Sequence, residues 1–165
     1  MNDQRPMRLA KREVTDEAQL RAVVERARVV HLGMADAEGV FVVPMNYGFD
    51  WPEGAPAPTL WLHSAPAGRK VEVWRANPQA AVEIEVESGL ITGDFSCANS
   101  FAYESVMAQG RIAEALEEVD KLHGLERIME HVAPGAPARF APEALARVAV
   151  WRVELAHLTG KRRIG

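Results

Sequence analysis

The sequence predicts a mainly β fold (β + α), a six-stranded antiparallel barrel with peripheral helices. Two observations support this prediction. Six runs rich in β-branched or alternating apolar residues are separated by turn-forming residues, with a few helical segments between them. Neither a G-x-G-x-x-G turn after a strand nor a P-loop occurs, so the usual signatures of a doubly wound nucleotide-binding sheet are missing.

The composition predicts one globular domain. The chain has 165 residues, of which 48% are hydrophobic and 25% are charged. Its formal net charge of −4 argues against nucleic acid as a partner, and no apolar run is long enough to cross a membrane. The N-terminus lacks a secretory core, and Cys97 is the single cysteine, which excludes an internal disulfide. We therefore expect a reducing, cytoplasmic location.

The first 27 residues predict an arm followed by a helix. Residues 1–14 are polar, so we expect a flexible or lightly docked arm ahead of a single domain at residues 15–165. Thr15 is a residue type favoured at a helix N-cap, and two acidic residues follow it in the first turn. This helix is expected to end near Ala27.

A hairpin is predicted next. The β-branched run 28–35, the turn 36–39 and the run 40–50 have the pattern of two antiparallel strands. Pro44 lies within the second strand. Because proline cannot donate a ladder hydrogen bond, we expect an edge, a bulge or a place where the backbone faces a ligand.

The middle of the chain predicts two further strands around a helix. Residues 59–63 form a short apolar run, and residues 69–76 form a helical segment that ends at Asn77-Pro78. Residues 80–87 alternate in their second half between apolar residues and glutamates, which indicates a strand with one solvated face.

The C-terminal half predicts a long connection, a strand, a helix and a last strand. Residues 88–102 show little periodicity and are interpreted as the connection. Residues 103–116 predict a strand, 117–132 an amphipathic helix, and 148–160 the last strand, with a basic tail after it.

The junction between the third strand and its helix carries the most informative residues. It reads LWLHSAPAGRK (residues 60–70) and places a histidine, a serine and two adjacent cations at a helix start. Free backbone N–H groups and cations at such a start suit an anion. Positive charges such as Arg69 and Lys70 interact unfavourably with the helix dipole at a helix N-terminus unless an anion is present, which favours a bound anion. A solvated first turn of the helix is the simpler interpretation.

Five segments in this order resemble a known family. They are VPMNYGF (43–49), LWLHSAPAGRK (60–70), ANPQAAVEIE (76–85), YESVMAQGR (103–111) and HLTGKR (157–162). Together they resemble the FMN-binding split-barrel family related to pyridoxamine 5′-phosphate oxidase, in particular its nitroimidazole-reductase-like branch. The resemblance spans residues 8–162. It implies a split-barrel homodimer that binds flavin mononucleotide (FMN) at the subunit interface and acts on a small molecule.

The resemblance implies a phosphate site at the junction. Arg69 and Lys70 match the cationic pair that holds the FMN phosphate in this family. Ser64, Ala65 and Gly68 would add neutral donors through the hydroxyl and the backbone N–H groups. Arginine can grip a phosphate with two donors while lysine acts as a point charge.

The resemblance also implies which residues contact the flavin ring. Met45, Asn46 and Tyr47 would line it through backbone groups and the Asn46 side chain; an irregular strand edge is the alternative. Ser105 and Gln109 lie four apart on one predicted strand and so share a face. That strand would run beside the ring or the ribityl chain, or these would be ordinary outward polar residues.

His63 and Lys161 are the remaining candidates. By resemblance His63 lies near the flavin, where it could donate a proton, since histidine transfers protons near neutral pH. A structural histidine bonded to a backbone carbonyl is the alternative. Lys161 matches a C-terminal family position that could reach the flavin, or it belongs to a solvated tail. The other histidines have no metal-ligand spacing, and no metal is expected.

These features predict an FMN-dependent oxidoreductase that reduces a small organic acceptor, such as a nitroaromatic, with reduced nicotinamide as donor. The KRRIG tail does not reproduce the substrate residues of the oxidase proper, so vitamin B6 oxidation is not implied. One alternative is a non-catalytic protein that binds or senses flavin, a deazaflavin or haem, with His63 as a haem ligand. Another is a cofactor-free dimeric barrel that acts by interaction.

Overall fold

Eight strands form one antiparallel sheet in the computed structural model, which describes residues 6–164. The strands are β1 (Glu13–Val14), β2 (Val30–Asp36), β3 (Gly39–Met45), β4 (Gly48–Asp50), β5 (Thr59–Ser64), β6 (Gln79–Ile91), β7 (Ser100–Glu114) and β8 (Ala149–Arg163). The helices are α1 (Glu17–Arg26), α2 (Arg69–Ala76), α3 (Glu118–Val132) and α4 (Pro142–Leu145). The sheet order is β3-β2-β6-β7-β8-β5-β4, with β1 beside β8. The predicted fold class is confirmed, with more strands than the six expected.

The barrel is split and not closed. Its path ends at β3 and β4, and within residues 6–164 neither strand has a second strand partner. Inward side chains from both ends of the sheet nevertheless pack in one core together with α1 and α2. The sheet therefore wraps around this core. Trp74 of α2 and Trp151 of β8 are buried in this core with their rings edge to face at 5.0 Å.

The strand predicted at residues 40–50 is in fact two strands, β3 and β4. The chain turns inward at Tyr47, whose side chain is fully buried and whose hydroxyl donates to the Val24 carbonyl at 2.6 Å. This turn directs β3 to pair with β2 and β4 to pair with β5. Pro44 lies in β3, an edge strand in the described part of the chain, as its missing N–H predicts.

Three other boundaries differ from the prediction. Asp16, and not Thr15, caps α1, because its side chain accepts from the Gln19 N–H at 2.9 Å. The predicted connection at 88–102 is strand at both of its ends, since β6 continues to Ile91 beyond a bulge between Glu87 and Gly89 and β7 begins at Ser100. The first three residues of the predicted basic tail are also strand, because β8 continues to Arg163 beside β7 and β1.

The helix α3 covers the outer side of β4, β5 and β8. Its Leu125 and Ile128 pack with Trp61 and Val150 in a second, smaller core. Gly124 allows this close packing, because a Cβ atom there would lie 2.6 Å from the Trp61 ring. Apolar packing of this kind stabilises a fold by about 1.5–3 kcal/mol for each large buried side chain.

Part of the predicted arm docks on the barrel. Residues 1–5 of that arm lie outside the described residues. Ala10–Arg12 form a 3-10 turn, and β1 pairs with the end of β8. Among residues 6–164, no helix is long and apolar enough to span a membrane.

Candidate cofactor site

Two strand edges at the split lack a strand partner in the described residues. The edge of β3 directed away from β2 has no backbone hydrogen-bond partner in the described residues. β4 covers β5 only over Thr59–Trp61, so the same holds for the second edge of Leu62–Ser64. Unpaired N–H and C=O groups along an edge are ready to bond a ligand or another chain.

The two ends of this split carry different groups. Strand directions follow from the antiparallel pairings, so β3 and β5 run in opposite directions. The end of β5, the start of β3 and the start of α2 therefore lie at one end. The end of β3, with Asn46 after it, lies at the other. Seven residues of β3 span about 20 Å, so an elongated ligand could contact both ends.

The start of α2 offers free backbone donors. Gly68 is its N-cap with φ of 121°, a conformation that glycine adopts without strain. Its carbonyl accepts the first two helical bonds, from Val71 and Glu72. The N–H groups of Gly68, Arg69 and Lys70 have no backbone partner among the described residues. Such free donors at a helix start favour an anion.

The Arg69 side chain is paired with an acid. Its Nε and Nη2 donate to the two carboxylate oxygens of Asp36, each at 2.7 Å, and its guanidinium stacks on Phe41. This hydrogen bond holds the pKa of Asp36 at about 2 and raises the pKa of Arg69. Glu38 lies 3.7 Å from Nη1. Arg69 is thus less available to a phosphate than the sequence implied.

Lys70 and His63 lie close together at the same end. Burial and the positive charge of Lys70 lower the pKa of His63, so its imidazole is mainly neutral at pH 7. Neither side chain forms a hydrogen bond or ion pair within residues 6–164, which does not support the carbonyl-bonded alternative for His63. The structure therefore brings together an uncommitted cation and an uncommitted imidazole.

The Ser64 hydroxyl points into the protein. It accepts from the Trp151 indole N–H at 2.9 Å and donates to the Ala65 carbonyl at 2.7 Å. Only 8% of this residue is exposed. The prediction that this hydroxyl donates to a phosphate is not supported by the geometry, because its single proton is already donated. The backbone N–H groups that follow Ser64 remain as donors at this position.

The segment Met45–Tyr47 offers the ligand a mixed set of groups. The Met45 and Tyr47 side chains are buried in the barrel, so only their backbone can face a ligand. The exposed Asn46 donates one amide N–H to the Arg28 carbonyl at 2.9 Å. Its amide oxygen has no partner among the described residues. The amide oxygen and the edge of β3 can therefore contact a polar ring.

Ser105 and Gln109 lie on the outward face of β7, as their spacing predicted. Lys161 is the strand partner of Ser105, so these two side chains share that face. Exposed apolar residues continue across it, with Val40 83% and Val42 59% exposed. A groove of about 450 Å³ crosses this outer face, lined by Gly33, Ala35, Val40, Ala81, Gln109 and their neighbours.

The sequence did not identify Asp36 and Phe41 as partners of Arg69. Asp36 was interpreted only as part of a turn, and no local spacing connects it with a residue 33 positions away. Asp36 and Arg69 border a cavity of about 470 Å³, which also touches Glu72, Val73 and Asn77. In residues 6–164, no group of three or more His, Cys, Asp or Glu side chains could hold a metal ion.

Comparisons with known proteins agree with this architecture. A family profile described as pyridoxamine 5′-phosphate oxidase matches residues 16–162. None of the curated proteins matches the chain significantly in sequence. A solved structure from Bacteroides thetaiotaomicron, proposed to be a 5-nitroimidazole antibiotic resistance protein, is 28% identical with a TM-score of 0.76, over 91% of this chain and 86% of that one.

Two structures with lower sequence identity also share the fold. The flavocytochrome Anf3 from Azotobacter vinelandii is 20% identical with a TM-score of 0.81, over 100% of this chain and 75% of that one. The FAD and haem binding protein from Mycobacterium smegmatis is 15% identical with a TM-score of 0.78, over 93% of this chain and 74% of that one.

Proposed function

The chain belongs to the pyridoxamine 5′-phosphate oxidase family, and from this premise we propose that it is a flavin-dependent oxidoreductase that holds FMN along the split of the barrel. One observation supports this most strongly. The free edge of β3 leads from Asn46 at one end to the uncommitted Lys70 and the free N–H groups of α2 at the other. A polar ring needs hydrogen-bond donors and acceptors, and a phosphate needs donors and a positive charge.

The phosphate would bind at the start of α2. Lys70 supplies a point charge, and the N–H groups of Gly68, Arg69 and Lys70 supply directed donors. Ala65 adds a backbone N–H from the loop before the helix. Arg69 remains part of this site, but it would act as a second cation whose charge Asp36 partly neutralises.

The ring would lie against the end of β3. The backbone of Met45, Asn46 and Tyr47 and the Asn46 amide oxygen would bond its polar edge. The bound flavin would supply the redox chemistry, and hydrogen bonds to the ring would tune it. The buried Tyr47 side chain holds this segment in place through its hydrogen bond to the Val24 carbonyl.

His63 would move the proton that accompanies reduction of the acceptor. Its imidazole lies at the split beside Lys70 and has a lowered pKa. A neutral imidazole can accept a proton and deliver it again near neutral pH, which suits a group that exchanges protons with solvent and substrate.

We also propose that two copies associate through the outer face. Exposed valines are unusual on a solvated strand, and Val40 and Val42 adjoin the groove at Gln109. In that dimer, Ser105, Gln109 and Lys161 would face the flavin of the partner. Light scattering should give the mass of a dimer for the wild type and of a monomer for Val42→Glu. A monomeric wild type would contradict this proposal.

The electron donor would be a reduced nicotinamide and the acceptor a small organic molecule. The 28% identical Bacteroides structure, with its proposed role in 5-nitroimidazole resistance, makes a nitroaromatic the first acceptor to test. The single cysteine, Cys97, is free, which is consistent with a reducing cytoplasm.

A non-catalytic cofactor-binding role is the second candidate. His63 has no bonded partner within the described residues, so an imidazole nitrogen is available as an axial haem ligand. Two structures that share the fold are described as a flavocytochrome and as an FAD and haem binding protein. A deazaflavin could occupy the same split as FMN, because the phosphate and backbone donors would be the same.

The visible absorption spectrum of the purified protein tests these candidates. We expect a two-band flavin spectrum, release of FMN on heating by mass spectrometry, and oxidation of NADH or NADPH when a nitroaromatic is added. A single intense Soret band would favour haem instead. A colourless protein that also takes up no added FMN would contradict the flavin proposal.

A double variant tests the phosphate site. Arg69→Ala/Lys70→Ala should lose bound FMN and keep its melting temperature within a few degrees. Arg111→Ala/Lys121→Ala is the matched control, because it removes the same two charges at a distance from the split. Unchanged FMN retention in a folded Arg69→Ala/Lys70→Ala protein would exclude this phosphate site.

A further inference from the structure

A cleft lined by cations lies where the two ends of the chain meet. Lys11, Arg12, Arg162, Arg163 and Ile164 enclose about 280 Å³, and we call this the terminal basic cleft. Four of its five lining residues are positively charged. This concentration contrasts with the overall formal charge of −4.

The fold builds this cleft from distant parts of the sequence. A 3-10 turn at Ala10–Arg12 carries the first two cations, and the Arg12 N–H closes it on the Leu9 carbonyl at 2.8 Å. Strand β1 then pairs with the end of β8, with Glu13 opposite Lys161. This pairing holds the turn against Arg162 and Arg163. The 3-10 turn and the end of β8 thus hold the backbone of the four cations in one place.

The charges of the cleft are not neutralised by nearby acids. Within residues 6–164, none of the four cations forms an ion pair. Arg162 donates only to the neutral amide oxygen of Gln19, at 2.8 Å. Glu104, the strand partner of Arg162, is already bound to Arg26 at 2.7 Å. Like charges held together without a counterion repel one another, so an anion that enters would relieve this repulsion.

We propose that the terminal basic cleft binds a diphosphate group. Two cations suffice for one phosphate, and four match two linked phosphates that carry a larger negative charge. Three of the four are arginines, whose planar fork can donate two hydrogen bonds to the oxygens of one phosphate. Ile164 is 68% exposed at the rim and offers apolar contact to an organic group attached to the diphosphate. This site is separate from the flavin proposal, since none of its residues belongs to the split.

Calorimetric titration with pyrophosphate tests the proposal. The protein should be the full chain in a phosphate-free buffer of low ionic strength, with Arg69→Ala/Lys70→Ala as a background that removes the other phosphate site. With the wild type saturated with FMN, so that its other phosphate site is filled, we expect one site per chain in both proteins and an affinity at least tenfold higher than for inorganic phosphate. Equal affinity for the two anions, or a site lost with Arg69→Ala/Lys70→Ala, would overturn the proposal.

Charge-neutral variants locate the site. Lys11→Gln/Arg12→Gln should weaken pyrophosphate binding at least tenfold, and Arg163→Gln should weaken it several-fold. Arg111→Gln/Arg139→Gln changes the net charge equally and should bind within twofold of the wild type. Circular dichroism and melting temperature check that each variant is folded. Unchanged binding in the folded cleft variants, or an equal loss in the control, would overturn the assignment.

The same titration with ADP and NADH separates the sources of a diphosphate. Binding of NADH at least tenfold tighter than ADP would identify a dinucleotide as the natural ligand. If pyrophosphate binds as tightly as ADP and NADH, the cleft recognises the diphosphate group alone. Failure of all three to bind at millimolar concentration would overturn the proposal, while flavin binding in the split would be unaffected.

Discussion

Asp36 and Arg69 form a bidentate ion pair at the start of α2, with both N···O distances 2.7 Å. The pair joins the end of β2 to the first residue of the helix. It uses two of the guanidinium donors and places a carboxylate beside the proposed phosphate position. The consequence is a division of roles in which Arg69 is held by the protein and Lys70 remains free for the ligand.

Replacing Asp36 should therefore strengthen binding of the phosphate. Asp36→Asn removes a negative charge and frees Arg69, so we expect the dissociation constant for FMN to fall about fivefold, as for other exposed charge pairs. Fluorescence titration measures it. Because the pKa of Asp36 is about 2 and a phosphate monoester loses its second proton at about pH 6, both groups keep their charge above pH 7, and the effect should be the same from pH 7 to pH 9. Glu87→Gln is the control, and weaker binding by Asp36→Asn would contradict this division of roles.

The pKa of His63 should report on the charge of Lys70. Burial lowers this pKa most, and Lys70 lowers it further. Lys70→Gln removes the second cause and should raise the pKa, and a bound phosphate should do the same by neutralising the lysine. An NMR titration of the His63 ring protons, with and without FMN, measures both shifts. A pKa unaffected by Lys70→Gln would show that the two groups are not coupled.

His131 should make stability depend on pH. Its Nε2 donates to the Ala27 carbonyl at 2.7 Å and its ring packs on Tyr47 and Phe49. Burial lowers the pKa of His131 below its usual 6.5, with Arg28 adding to this shift and Glu25 opposing it. Between this lowered pKa of the folded protein and the usual 6.5 of the unfolded chain, the unfolded chain binds more protons. The free energy of unfolding should therefore fall as pH drops below about 6.5.

Urea unfolding at pH 7 and pH 5 measures this dependence. His131→Gln should be less stable at pH 7, because it loses ring packing, and its stability should change less between the two pH values. His63 contributes in the same direction and remains in both proteins. The exposed His157→Gln serves as control. An unchanged pH dependence in His131→Gln would contradict the role of its burial.

Gly124→Ala should destabilise the protein although alanine favours a helix. The added Cβ would lie 2.6 Å from the Trp61 ring and 2.8 Å from Val150 Cγ1. Overpacking of this kind costs about 1–3 kcal/mol, against a gain of about 1 kcal/mol in helix propensity. Urea unfolding should show a net loss of stability. Glu126→Ala, an exposed change on the same helix, is the control, and greater stability of Gly124→Ala would contradict the packing.

Local signals in the sequence predicted much of the architecture. Alternation in residues 80–87 predicted the inward and outward faces of β6, and α2 begins and ends at the predicted residues. Pro44 predicted an edge, a bulge or a backbone that faces a ligand, and β3 is an edge strand in the described residues. Local signals did not predict that residues 40–50 divide at Tyr47, because this depends on the cavity that receives the tyrosine ring. The basic tail was missed as strand because charged residues alone do not indicate pairing.

By itself, the sequence determined the antiparallel class, most of the elements and the order of motifs that identifies the family, because these depend on periodicity, turn residues and spacing along the chain. Only the tertiary structure decided which charged groups meet. Arg69 is bound by Asp36, and Lys11 lines one cleft with Arg162, because strand order and register bring together residues that are far apart in sequence. The preference of a short segment for helix, strand or turn contains no information on such pairings. They follow from the way the whole chain packs to bury its core.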